Sequence, residues 1–121
     1  QHREQISAAL RKRLNDGWAV SREHYDGARQ TAHDARRQFA DLMRGFDLML
    51  TPSARGEAPQ GLATTGDALF NRAWTALGVP CVTLPCGSGP NGLPLGIQLV
   101  AAMEQDTALL AHAQWAANAL A

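Results

Sequence analysis

A helix that ends on Gly78-Val79-Pro80 leaves the chain few ways onward. Phe70, Trp74 and Leu77 recur at helical spacing, Gly78 supplies the left-handed residue on which helices close, and Pro80 lacks the amide that a further turn would need. The chain must leave in extended form, and Cys81-Val82-Thr83-Leu84-Pro85-Cys86 reads as a strand with a β-branched centre. Gly87 to Gly92 then joins it to a second strand, Leu93 to Val100, with Asn91-Gly92 as the positive-φ pair of a hairpin turn. Asp67 stands where an N-cap for the helix is expected.

The flanking segments supply the other elements. Ile6, Leu10 and Leu14 mark a short amphipathic helix that ends at Asn15-Asp16-Gly17. Ser21 caps a second, longer helix whose seam of Tyr25, Ala28, Ala32, Ala35, Phe39, Leu42 and Phe46 alternates steps of three and four. Its other face carries Arg22, Arg29 and Arg36, with Asp26, Asp34 and Asp41 as pairing partners, and reads as a solvated face. Asp47-Leu48-Met49-Leu50-Thr51-Pro52 is a short buried strand ended by proline, with no neighbour apparent in the order of elements. Residues 53–66 form a long loop without periodicity, the kind that is often functional or mobile. Gln105-Asp106 opens a last helix through Ala108, Leu109, Ala113 and Ala116. The order is α, α, β, loop, α, β, β, α, an α/β fold.

Composition bounds what such a fold can do. With 121 residues, 45% of them apolar, the chain can form one globular unit with a core. Nine of the eleven basic residues but six of the eleven acidic ones precede Asp47, so a charge of about +3 there is balanced by about −3 beyond it. That asymmetry is too diluted to suggest a nucleic-acid partner. No apolar run reaches membrane-spanning length, and Gln1-His2-Arg3-Glu4-Gln5 lacks an initiator Met and a signal core, which suggests a chain that starts mid-protein.

Cys81 and Cys86 cannot bond to each other across an extended strand. At roughly 3.3 Å per residue their Cα atoms stand about 16 Å apart, whereas a disulfide needs them within roughly 7 Å. Their odd offset sends them to opposite faces, so buried, reduced thiols and a reducing, cytoplasmic compartment are expected. His2, His24, His33 and His112 fit no metal spacing, and no metal or other cofactor is implied.

No complete catalytic constellation is visible. Ser88, in Cys86-Gly87-Ser88-Gly89, lacks the glycine two residues before it that a nucleophile elbow requires, and is a turn residue. The single lysine, Lys12, sits in an Arg-Lys-Arg run with nothing to depress its pKa. Paired carboxylates and a phosphate-cradling loop are missing too.

Five pieces in series nevertheless resemble one family. Ser21-Arg-Glu-His-Tyr25 opening a long helix, Asp47-Leu-Met-Leu-Thr-Pro52, Phe70 through Pro80, Thr83-Leu-Pro-Cys-Gly87 and Gly92-Leu-Pro-Leu-Gly-Ile-Gln-Leu-Val100 together look like the C-terminal portion of the amidase signature family. The resemblance implies a mixed β-sheet flanked by helices, with residues 1–121 as one unit of a larger amidase domain. It implies hydrolysis of amide C–N bonds by a Ser, cis-Ser, Lys triad, all of which lies N-terminal to the region matched. This chain is then expected to contribute no catalytic residue and to be inactive without its partner, the N-terminal catalytic part.

By the same resemblance, Phe70, Asn71, Trp74 and Thr75 face the acyl side of the pocket for a small amide substrate. Trp-Thr at 74–75, where many members carry Asn at the second position, is associated with small polar amides or ureas. Phe70 and Trp74 are equally open to a reading as core aromatics. Asn71 and Thr75, on one helix face at i, i+4, are the polar candidates. A free-standing α/β binding or scaffold module is the alternative, since fold alone does not fix function. The lone strand and the alanine seam leave apolar surface that a partner, or a second copy in a homodimer, would cover.

Overall fold

The computed structural model describes residues 5–120, so the reading of Gln1–Glu4, with His2, lies outside the described residues. Among the described residues, four helices and three strands follow in the expected order: α1 (Ala8–Trp18), α2 (Arg22–Leu42), β1 (Met49–Pro52), α3 (Leu69–Leu77), β2 (Cys81–Ser88), β3 (Pro94–Val100) and α4 (Asp106–Leu120). The fold is α/β. Two compact units divide it, one up to Asp34 and one from Ala35, with the boundary inside α2.

In the first unit, the Ser7 hydroxyl caps α1 by accepting from the Leu10 amide at 3.2 Å. The helix does not stop at Asn15-Asp16-Gly17 but runs on to Trp18. Gly17 keeps helical geometry, and an i, i+4 pair between Lys12 and Asp16 at 2.7 Å braces the last turn. Ser21 caps α2 as expected, accepting from the His24 amide at 3.2 Å. Arg22 pairs with Asp26 at 2.7 Å, and the Arg29 guanidinium lies 5.8 Å from the centre of the Tyr25 ring.

The second unit is built on an antiparallel sheet of order β1-β3-β2. β1 does have a neighbour: it pairs with β3, Met49 opposite Val100 and Thr51 opposite Gln98. β2 pairs with the other edge of β3, Cys81 opposite Val100 and Thr83 opposite Gln98. β2 also outlasts its expected end at Cys86. Between Pro85 and Ser88 it carries one residue more than β3 does, a bulge in which Gly87 takes φ 75°. In the turn beyond, Gly92 alone has positive φ, so Asn91 is not half of a left-handed pair.

Cross-strand partners share a face, and helical residues pack on each face of this sheet. On one, Val82, Leu84 and Leu99 pack with Ala101 against Leu109, Ala113 and Ala116 of α4. On the other, Met49, Val100 and Cys81 pack under Phe39, Met43, Trp74 and Leu77, at the end of α2 and on α3. Val100 is 0% exposed at the centre of that face. The α2 seam is therefore misphased at its end: Met43 is buried beside Phe39, while Leu42 and Phe46 are exposed. The i, i+4 pair Phe39 and Met43 points down one side of the turn, and Leu42 is rotated away from it.

Candidate functional site

The site is assembled where α3 crosses the sheet. Gly78 closes α3 with φ 71°, and its amide bonds the Trp74 carbonyl, as the sequence leads one to expect. Arg36, expected on a solvated face, instead reaches the same helix end. Its guanidinium donates to the Ala76 carbonyl at 2.7 Å and the Leu77 carbonyl at 3.0 Å. Those carbonyls have no partner inside the helix, and a cation there also meets the negative end of the helix dipole. At the other end Asp67 is no cap: the N-cap position is Ala68, without a side-chain bond. Asp67 lies between Arg55 at 3.7 Å and Arg72 at 3.9 Å.

The four residues expected to face a substrate divide in two. Trp74 packs into the apolar cluster, its ring 5.8 Å from that of Phe39 and tilted by 55°, with its indole nitrogen buried and unpartnered. Phe70 is half-buried one turn earlier. Asn71 and Thr75 are brought together, since the Thr75 hydroxyl donates to the Asn71 carbonyl at 2.9 Å.

Both ends of the Asn71 side chain are engaged. Its Nδ2 donates to the Ser53 carbonyl at 3.2 Å, and its Oδ1 accepts from Gln98 Nε2 at 2.9 Å. The Ser53 hydroxyl in turn donates to the Gly96 carbonyl at 2.9 Å. Gly96 has no room for a side chain, because a Cβ would run into Ser53 Oγ and Thr83 Cγ2. One chain of hydrogen bonds thus ties α3, the start of the 53–66 loop and the central strand together.

The loop is anchored a second time by Glu57. One carboxylate oxygen accepts from the Asn91 amide at 2.9 Å and the Leu93 amide at 3.0 Å, and the other from Asn91 Nδ2 at 2.6 Å. Removal from water pushes this carboxyl up, but the three hydrogen bonds outweigh that and hold its pKa below the ordinary 4.5. Gly89 lies against the Glu57 side chain, where any Cβ would collide. The latched loop encloses a hollow of 290 Å³ lined by Ser53, Arg55, Glu57, Asp67, Pro94 and Gly96. A more apolar hollow of 460 Å³, lined by Leu50, Pro52, Cys86, Leu95 and Ile97 among others, adjoins the other sheet face. Cys81, in the cluster under Phe39, and Cys86, in this hollow, stand on opposite faces as free thiols. Burial pushes the Cys81 thiol up.

Gln98, Ser53 and Glu57 were not singled out by the sequence. The one signal for Gln98 is its position as a polar side chain inside the run Leu95 to Val100. Among the described residues no three His, Cys, Asp or Glu side chains gather to hold a metal, and no helix is long and apolar enough to cross a membrane.

A layered α/β unit with a chain of polar side chains running under α3 defines the scaffold. Comparison with known proteins gives that scaffold its family. The chain belongs to the amidase signature family, whose model, described as Amidase, matches residues 2–110. A glutamyl-tRNA(Gln) amidotransferase subunit from Prochlorococcus marinus (strain MIT 9313) is 32% identical over 108 residues, 81% of this chain and 22% of that protein. The crystal structure of an amidase superposes with a TM-score of 0.87 at 28% identity, over 99% of this chain and 30% of that one. A chain of an inhibitor-bound complex described with an s-triazine catabolic enzyme gives a TM-score of 0.79 at 23% identity, over 90% of this chain and 27% of that one, a likeness of fold alone. The chain thus spans about a fifth of the first relative and under a third of the amidase.

Proposed function

We propose that this chain is the C-terminal segment of an enzyme that hydrolyses C–N amide bonds in a small substrate. It completes the core sheet and one wall of the substrate pocket, while the Ser, cis-Ser, Lys triad comes from chain N-terminal to it. The observation that carries this reading is the family match over residues 2–110 in a chain that spans only 22% of a relative's length. Phe70, Asn71, Trp74 and Thr75 form the wall. Asn71 does so as the tie that fixes α3 to the sheet, and Thr75 as the exposed polar group one turn further along the same helix face. The two free thiols suit a reducing cytoplasmic setting.

A second reading is favoured by the 32% identity to part of an amidotransferase: the nitrogen released from the amide is passed to an acceptor rather than lost to water. The experiment is ammonia release by the complete natural protein from a panel of small primary amides, with and without acceptor. Hydrolysis predicts ammonia release that does not depend on the acceptor, transfer predicts that adding the acceptor moves the nitrogen from free ammonia into an aminated acceptor, and the isolated 121-residue chain is expected to release none. Turnover by the isolated chain overturns the assignment of the triad to other sequence. No turnover by the complete protein leaves the non-catalytic binding module as the better reading.

A further inference from the structure

Gln98 is a carboxamide only 4% exposed, and half of it has no partner. Its orientation is fixed from a distance. The Ser53 carbonyl can only accept, so Asn71 must present Nδ2 to it and Oδ1 to Gln98, and Gln98 must answer with Nε2. Gln98 Oε1 is therefore an open acceptor, buried and unbonded. Directly across the β1–β3 pairing stands Thr51, whose Oγ1 is also buried and unbonded. Residues paired in this way put their Cβ atoms about 4.5–5.5 Å apart on one face. Two orphaned oxygens in one cross-strand pair are costly to leave empty, because each has given up water for nothing.

We propose that Gln98 Oε1 and Thr51 Oγ1 form a binding site for one small, neutral group that both donates and accepts a hydrogen bond. The occupant's donor serves Gln98 Oε1, and its acceptor takes the hydrogen of the Thr51 hydroxyl. A cation would satisfy only the acceptors and would be buried with no carboxylate to compensate it, since the neighbours on that face are Met49, Val100, Cys81, Thr83 and Gly96. Two sources have the right chemistry: an ordered water, and a primary carboxamide, whose N–H and C=O match the two oxygens together. The carboxamide source alone rests on the amide-cleaving function proposed above.

The test uses the complete natural protein with Thr51→Val and Thr51→Ser, read by thermal midpoint. An occupied site predicts that T51V, which removes the hydroxyl at almost constant shape, lowers the midpoint by about 2–8 °C, and that T51S, which restores the hydroxyl, recovers most of that loss. T51V at or above the wild-type midpoint, as expected for an empty pair relieved of a buried hydroxyl, overturns the proposal. Crystals grown without amide, with acetamide and with N,N-dimethylacetamide identify the source. A solvent peak between the two oxygens in all three assigns water, whereas density for acetamide but not its dimethyl analogue assigns the carboxamide. Nothing bound in any of them overturns the site even if T51V fails to fold. None of these measurements depends on turnover, so an inactive protein would refute the proposed function and leave this site standing.

Discussion

Gln98 Nε2 donates to Asn71 Oδ1 at 2.9 Å, joining residues 27 apart in sequence and tying the buried central strand to the helix above it. Removing the acceptor strands a buried N–H, which costs about 1–3 kcal/mol. Asn71→Leu is therefore expected to lower stability by about that amount, with an unchanged denaturant slope. Thr75→Ala removes an exposed hydroxyl bonded within its own helix and is expected to stay within about 0.5 kcal/mol. Under the proposed function, T75A in the complete protein is then the cleaner probe of substrate preference, because a change in kcat/KM there is not confounded by unfolding.

Glu57 makes the loop latch pH-dependent in a defined direction. Its folded pKa lies below 4.5, so the latch contributes its full stability above the ordinary carboxylate range and loses it as pH falls through the folded value. The Asn91 and Leu93 amide resonances are expected to titrate with a midpoint below 4.5 in the wild type. Glu57→Gln should abolish that titration, and Glu57→Ala should speed hydrogen exchange at both amides near neutral pH. A wild-type midpoint at or above 4.5 contradicts the latch.

These two anchors were the part of the molecule least legible in its sequence, for a physical reason. Gly78 and Pro80 act on the residues beside them, so the end of α3 and the strand that follows can be read locally. Glu57 acts on a turn 34 residues away, and nothing near it in the sequence marks the partner. Gln98 carries a faint mark as the polar interruption of an apolar strand, but its meaning depends on Asn71 and Thr51 arriving from two other elements. Local signals also misled where other contacts outweighed them. Asp67 has the chemistry of a cap yet lies between two arginines, and Gly17, a usual stop, is carried through as the last turn of α1.

The two cysteines are expected to be separable by rate. Burial raises the Cys81 thiol, which lowers its thiolate fraction, while Cys86 lines the hollow on the opposite face. Mass-resolved alkylation of the native protein should label Cys86 before Cys81, and the two rates should converge in denaturant. A species two mass units light that reductant restores would contradict the extended strand between them.

The isolated 121-residue chain should bind a hydrophobic dye and self-associate. Leu50 is 63% exposed on β1, beside the hollow lined by Leu95, Ile97 and Cys86, and β1 and β2 are both edge strands. An edge presents a row of unpaired backbone donors and acceptors, and here one flank of it is apolar, the combination that templates pairing with another chain. Whatever completes the family domain is expected to cover that flank, so the complete protein should bind dye weakly at equal molar concentration. Leu50→Lys in the isolated chain places a charge on the exposed strand and should reduce both dye binding and the sedimentation coefficient at high concentration. A dye-negative monomer for the unsubstituted chain would show that the sheet is sufficient as it stands, and would favour the free-standing module over the enzyme segment.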